Sequence, residues 1–188
     1  NCIFAFAKDN HLITNSPCDA VILEHYDVEN GVALTKDEEK QLLNAYKNTR
    51  FGVCFAIALY TGLRPNEYTS AVVSEDQNFI IAMNSKQKKK RNGEIVYKKI
   101  PISSMLRPYI TANPKPYMYT AKYLRKYFKA VLPDHILYDM RTTFHTRCKE
   151  CKIDEAARHA FMGHSLKAVD KAYTDLSDAY LLSEGKKL

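Results

Sequence analysis

The sequence has few of the residues that are typical of disordered or fibrous chains. It contains only 6 Gly and 7 Pro among 188 residues, and hydrophobic residues make up 46%. This composition excludes a wholly disordered chain and a collagen-like one, because enough apolar side chain is present to form a core. The length predicts one compact domain, or one domain with a fragment of another.

Long hydrophobic runs are also missing. No stretch approaches the roughly 18 consecutive apolar residues that a membrane span needs. The apolar opening over 2–7 is shorter than the core of a signal peptide. Five cysteines are an odd number and lack the regular spacing of a disulfide framework. We therefore expect a soluble intracellular protein without a membrane partner.

Acidic residues are the minority, because 28 Lys and Arg stand against 21 Asp and Glu and give a net charge of +7. A positive excess favours a polyanionic partner, since cations that neutralise phosphates release counterions. The charge is concentrated over 86–91 (KQKKKR). Such a run fits a solvated loop or a basic finger along a phosphate backbone, and by itself it does not discriminate between them.

Hydrophobic periodicity divides the chain into helical, strand and again helical parts. Thr35 and Glu38 form a capping box that predicts a helix start, and the apolar run over 51–60 predicts a buried central helix ending at Gly62. Short β-rich runs follow over 71–73, 79–83 and 94–102, and helical patterns return over 120–130, 141–150, 154–161 and 166–182. We predict an α+β fold, mainly α, with a small three-stranded antiparallel sheet.

Several common catalytic motifs do not occur, among them the Gly-rich phosphate loop and His-Glu-x-x-His. His145, Cys148 and Cys151 could supply three zinc ligands, but their segment has a helical pattern and no second Cys pair exists. Two partly buried thiols are the favoured interpretation, and we expect no metal. Arg64 and Arg141, if brought to one pocket, could each donate a planar fork to the same phosphate.

Four short segments follow one another in a definite order. They are 61–67 (TGLRPNE), 84–86 (NSK), 138–144 (YDMRTTF) and 162–165 (MGHS), the last followed by Tyr173. Together they resemble the catalytic domain of the tyrosine recombinases, the phage-integrase family of site-specific DNA recombinases. The resemblance spans about residues 34–180, with a Lys-bearing hairpin in the sheet.

The resemblance implies an enzyme that cuts and rejoins double-stranded DNA through a 3′-phosphotyrosine intermediate. Such an enzyme uses no ATP, metal or other cofactor, and no small-molecule substrate. The resemblance also implies an integrase of a mobile element that is found in the cytoplasm, at the nucleoid. The full-length protein would act as a homotetramer on DNA. Residues 1–33 would be the end of a core-binding domain with its linker, and 34–188 the catalytic domain with a C-terminal tail. The missing initial Met agrees with a piece of a longer protein.

The resemblance also implies roles for individual residues. Tyr173 would be the nucleophile, and Arg64 and Arg141 would clamp the non-bridging phosphate oxygens. Lys86 would protonate the departing 5′ oxygen, and His164 would hydrogen-bond the scissile phosphate.

Other residues have supporting roles or compete for these assignments. Glu67 would orient an arginine. The Lys-rich run comprises Lys88, Lys89, Lys90 and Arg91 and would bind DNA. Its three lysines compete with Lys86 for the role of the acid. Tyr180 lies near Tyr173, which is selected only by its spacing of nine residues from His164.

One position departs from the family pattern, since Tyr138 replaces the first His of the third segment. A neutral phenol is a poor proton acceptor, so Tyr138 would contact the phosphate or position Tyr173. Two other functions remain open. One is a type IB topoisomerase with the same chemistry, and the other is a catalytically silent DNA-binding or regulatory module of the same fold.

Overall fold

The protein is represented by a computed structural model, which describes residues 2–19, 31–86, 94–164 and 176–188. The chain divides into two compact units, 1–30 and 31–188. In the first unit, helix α1 covers Cys2–Asp9. The assignment of 1–33 to a core-binding domain and linker stays a prediction. Within the described residues, no helix combines the length and apolar composition that a membrane span needs.

The second unit begins with two helices whose ends follow from local sequence. Helix α2 covers Lys36–Ala45, and Thr35 and Glu38 form the predicted capping box. Helix α3 covers Arg50–Thr61 and ends at Gly62, whose left-handed backbone (φ 61°) terminates the helix. Eight of the twelve residues of α3 are buried, which makes it the central helix of the unit.

A small sheet follows a 3₁₀ helix over Pro65–Ser70. Its strands are β1 (Val72–Val73), β2 (Phe79–Met83) and β3 (Tyr97–Pro101). They are antiparallel in the order β1-β2-β3, and Ile81 lies opposite Lys99. The predicted fold class and three-stranded sheet are confirmed, with β3 shorter than the predicted run.

The remaining helices follow the sheet. They are α4 (Arg107–Ala112), α5 (Ala121–Val131), α6 (Asp139–Glu150), α7 (Glu155–Met162) and α8 (Asp178–Gly185). Helix α6 packs against α3 and α7, and α8 packs against β3. The amides of Val32 and Leu34 donate hydrogen bonds to Asp139 and Thr143, so the segment before α2 lies against α6.

One helix prediction is wrong, and one helix was not predicted. A single helix over 166–182 is wrong, because Leu176 and Ser177 are not helical and the Ser177 hydroxyl accepts a hydrogen bond from the Tyr180 amide. That N-cap starts a separate helix, α8, which continues beyond Leu182. The six-residue α4 was not predicted, and Pro108 in its first turn is compatible with a helix start.

Candidate active site

Arg141 is the centre of the candidate site and is almost completely buried, with 1% of its surface exposed. It lies in the first turn of α6. Its Nη1 donates to the carbonyl of Gly62 (2.5 Å), and its Nη2 donates to the carbonyl of Met162 (2.7 Å). These carbonyls lie at the C-terminal ends of α3 and α7, where partial negative charge accumulates. The guanidinium therefore ties two helix ends to a third helix.

Both helix ends turn at a glycine, and each turn leads directly to another candidate residue. Gly62 and Gly163 have left-handed backbones, with φ of 61° and 63°. Arg64 follows two residues after Gly62, and His164 follows immediately after Gly163. His164 Nε2 lies 3.2 Å from Nη2 of Arg141. Since a guanidinium only donates, Nε2 is the acceptor and the ring proton is assigned to Nδ1.

The site has a strong positive field. Partial desolvation together with Arg141, Arg64, His159 and Lys86 lowers the pKa of His164 to about 4, so the ring is neutral at pH 7. Burial, and then the charge of Arg64, lowers the pKa of the Arg141 guanidinium. Arg64, Lys86 and Arg141 therefore all contribute positive charge at the His164 ring.

Glu67 is the acidic centre of this cluster and is completely buried. One oxygen, Oε1, accepts from Arg64 Nη1 (3.1 Å) and from the amide and hydroxyl of Ser85 (3.0 and 2.8 Å). The other, Oε2, accepts from the Arg64 amide (2.9 Å) and from Lys98 Nζ (2.7 Å). One carboxylate thus joins the Arg64 loop, the end of the hairpin strand and β3.

The protonation states of Glu67 and Lys98 agree with an ion pair at neutral pH. Burial alone would raise the pKa of Glu67, but the charge and hydrogen bond of Lys98, with the amides of Ser85 and Arg64, lower it to about 2. Burial lowers the pKa of Lys98 to about 8 against the opposing attraction of Glu67. The ammonium therefore remains mostly protonated at pH 7.

The hairpin is attached to the His164 turn through Asn84. Its Nδ2 donates to the carbonyl of Gly163 (3.0 Å), and its Oδ1 accepts from the amide of Lys86 (3.2 Å). A side chain at Gly163 would collide with Asn84, since an added Cβ would lie 2.9 Å from Nδ2. This close approach places Lys86, whose side chain is exposed, next to His164.

Tyr138 immediately precedes α6 and is 43% exposed, and its carbonyl accepts a hydrogen bond from the Arg141 amide (2.9 Å). Tyr173 and the basic residues of the hairpin tip lie outside the described residues; the latter are Lys88, Lys89, Lys90 and Arg91. His135 contacts Glu38 (3.2 Å) and Asp139 (3.0 Å), an arrangement that holds the start of α6 to α2.

The possible zinc ligands do not form a cluster in the described residues. Burial raises the pKa of the Cys148 thiol to about 12, which opposes formation of the thiolate that binds metal. Across the described part of the chain, no three His, Cys, Asp or Glu side chains are grouped to hold a metal ion.

Sequence reasoning missed Lys98 as a member of the site. The Lys-rich composition of the hairpin concealed it, because the lysines looked alike. One signal was present: alternation along β3 places Lys98 and Ile100 on the buried face, while Tyr97 and Lys99 are exposed.

Comparison with known proteins identifies the fold. No protein-family model and no curated protein sequence matches the chain. Among solved structures, the integrase from mycobacterium phage Brujita is 13% identical with a TM-score of 0.64, over 100% of this chain and 68% of that one. The fold is that of the integrases.

Two further structures extend the likeness. The Tn1549 transposon integrase, solved with circular intermediate DNA, is 21% identical with a TM-score of 0.64, over 97% of this chain and 74% of that one. A lambda integrase tetramer bound to a Holliday junction is 16% identical with a TM-score of 0.63, over 92% of this chain and 56% of that one. Identities this low establish the integrase fold alone.

Replacing Lys98 tests the buried ion pair. Lys98→Met keeps most of the side-chain volume but leaves Glu67 without its ammonium partner. We expect the free energy of unfolding to fall by about 3–5 kcal/mol, measured by urea denaturation. The matched control is Lys99→Met on the same strand, whose exposed ion pair with Asp178 should contribute less than about 1 kcal/mol. Equal losses in both variants would contradict the buried pair.

The titration of His164 tests the positive field. Following its ring protons by NMR, with His164→Gln for assignment, should give a midpoint near pH 4. The unfolded chain takes up this proton near pH 6.5, so the stabilising contribution is complete above that pH and is lost as the pH falls through about 4. A midpoint near 6.5 would show that the cations do not act on the ring.

Proposed function

We propose that this chain is the catalytic part of a site-specific DNA recombinase that cuts and rejoins strands through Tyr173. The observation that supports it best is the contact of Arg141 with His164 beside Arg64. Arg64, Lys98 and Arg141 are buried around a single carboxylate, Glu67, and this excess of positive charge favours an anionic ligand, because like charges in a partly desolvated site repel. A phosphodiester supplies that anion and can be held by planar arginine forks.

In the proposed reaction, the Tyr173 oxygen attacks the scissile phosphorus. The bond from phosphorus to the 5′ oxygen breaks, leaving a 3′-phosphotyrosine and a free 5′-hydroxyl. Lys86 gives a proton to the departing oxygen, and the phenol releases its own proton to water during attack. Because the bond energy is kept in the protein–DNA link, a new 5′-hydroxyl can reverse the step and rejoin the strand.

The arginines and His164 stabilise the charge that develops on phosphate. The guanidinium of Arg141 has five N–H groups, and its contacts with Gly62, Met162 and His164 leave some of them for phosphate oxygens. Neutral His164 can donate from Nδ1. Such donors are fixed before the reaction, so little reorganisation is needed in the transition state.

The proposal also covers the binding partners of the chain, which are DNA and further copies of the full-length protein. The Tn1549 and lambda integrases named above were solved with DNA, and the lambda protein as a tetramer. We infer that this chain acts on duplex DNA and that its full-length protein assembles as a homotetramer. A silent DNA-binding module is the second candidate, and Tyr138 in place of the family's His is the observation that favours it.

Covalent trapping separates the two candidates. The protein is incubated with nicked duplexes carrying candidate element ends, and SDS-resistant protein–DNA adducts are counted. We expect an adduct with the wild type and Tyr180→Phe, and none with Tyr173→Phe. Binding without any adduct, also in a longer protein that includes the N-terminal region, would favour the silent module.

The leaving-group acid can be tested in the same assay. Lys86→Ala should slow adduct formation by about 100- to 10,000-fold on an ordinary substrate, since the 5′ oxygen then departs without a proton. A substrate with a 5′ sulfur should restore the rate, because a thiolate leaves unprotonated. If the sulfur substrate rescues Lys98→Ala instead, the acid assignment belongs to Lys98.

A further inference from the structure

A cluster of aromatic side chains lies on the surface around α5 and has no part in the arginine site. It joins the end of α2, the start of α3, the segment before α5, and α5 itself. Its six rings, here called the aromatic platform, are Tyr46, Phe51, Tyr117, Tyr119, Tyr123 and Tyr127. A buried cluster of this size would be ordinary core packing. Here Tyr117 is 61% exposed and Tyr123 is 46% exposed, so two rings present their surfaces to solvent.

The exposed rings are held in place by the partly buried ones. Tyr119 lies between them, with its centroid 5.8 Å from Tyr117 and 5.1 Å from Tyr123. Phe51 packs on Tyr127 with centroids 4.0 Å apart, and Tyr46 donates its hydroxyl to the carbonyl of Tyr127 at 2.7 Å. Such rigid rings lose little conformational freedom when a planar ligand stacks on them.

Positive charge accompanies the rings. The guanidinium of Arg50 lies 5.6 Å from the centroid of Tyr117 and 5.7 Å from that of Tyr119. On α5, Lys122 and Lys126 are exposed and follow the same spacing of four as Tyr123 and Tyr127. Lys126 follows Tyr123 by three residues on α5, so the two side chains are neighbours on the helix surface.

The sequence around the platform contains no opposing charge. Residues 95–133 include eight Lys and Arg and no Asp or Glu. Positive charge beside exposed rings therefore favours an anionic ligand with flat apolar faces. An acidic peptide meets the first requirement, but unpaired nucleotides meet both, because each base has an open face and each linkage a phosphate.

Spacing distinguishes an unpaired strand from a duplex. Lys122 and Lys126, four residues apart on α5, are separated by about 6 Å along the helix axis. Consecutive nucleotides of a duplex strand rise only about 3.4 Å, and their base faces are covered by neighbouring pairs. An extended single strand can place phosphates beside these lysines at the wider spacing, and its open base faces can stack on Tyr117 and Tyr123.

We propose that the aromatic platform binds an unpaired DNA segment, with bases stacked on Tyr117 and Tyr123 and phosphates beside Arg50, Lys122 and Lys126. The choice of DNA rests on the proposed recombinase function, in which strands leave one duplex before they join another. The platform would hold such a strand while it is unpaired. Binding itself requires neither cleavage nor Tyr173.

The test measures affinity by fluorescence anisotropy for three probes. They are a thymidine oligomer of about 12 nucleotides, an abasic oligomer of the same length, and a blunt duplex. Tyr117→Ala and Tyr123→Ala should each weaken thymidine binding by about 5- to 150-fold. Affinities for the abasic oligomer and the duplex should change by less than about 2-fold, because their phosphate contacts remain.

Matched variants separate stacking from folding. Tyr117→Phe and Tyr123→Phe keep the rings and should bind thymidine like the wild type. Tyr97→Ala removes an exposed tyrosine of β3 outside the platform and should also have no effect. If the alanine variants bind thymidine normally, or lose all three probes equally, the proposal is overturned and a protein partner becomes the better occupant of this surface.

The same assay keeps this proposal distinct from the recombinase proposal. Tyr173→Phe should abolish the covalent adduct and leave the thymidine affinity unchanged. If thymidine binding depends on the rings but no covalent adduct forms, the recombinase proposal fails and the platform proposal stands. Normal adducts without ring-dependent binding would count against the aromatic platform alone.

Discussion

The burial of the Arg141 guanidinium is the constraint on which the candidate site depends. A desolvated cation is costly unless its donors are satisfied, and here two helix-end carbonyls and an imidazole accept from it. The same contacts that offset this cost bring the ends of α3 and α7 together. Arg64 and His164 follow those ends directly, so the core itself determines where the groups proposed to bind phosphate lie.

Glu67 supplies the complementary negative charge. Arg64, Ser85 and Lys98 all donate to this carboxylate, and they belong to three different segments. The arrangement keeps one arginine oriented and holds the hairpin strand close to it. Arg64, Arg141 and Lys86 still outnumber the acidic groups around them, and a phosphate would balance that excess.

The integrase fold and the local chemistry thus lead to one functional proposal by separate routes. Fold similarity at low identity says nothing about individual residues, and many folds host several functions. The contacts of Arg141 and Glu67 are independent of that similarity. The aromatic platform adds a second surface of different chemistry, in which flat rings accompany the cations, so the two proposals assign the two surfaces to different parts of a DNA substrate.

Local sequence was sufficient for features that depend on neighbouring residues. The Thr35 capping box, the end of α3 at Gly62 and the antiparallel sheet were predictable, because hydrogen bonds within a few residues and side-chain alternation determine them. The break before α8 was missed although Ser177 marks it, since the apolar residues on either side keep a helical spacing.

The sequence alone therefore determined the fold class and the candidate residues around Arg64, Arg141 and His164. Only the tertiary structure decided which of them meet, that Lys98 is buried on Glu67, and that six rings from separate segments form one surface. Those outcomes depend on contacts between residues that are distant in sequence, where packing and desolvation select among side chains that look equivalent in the chain.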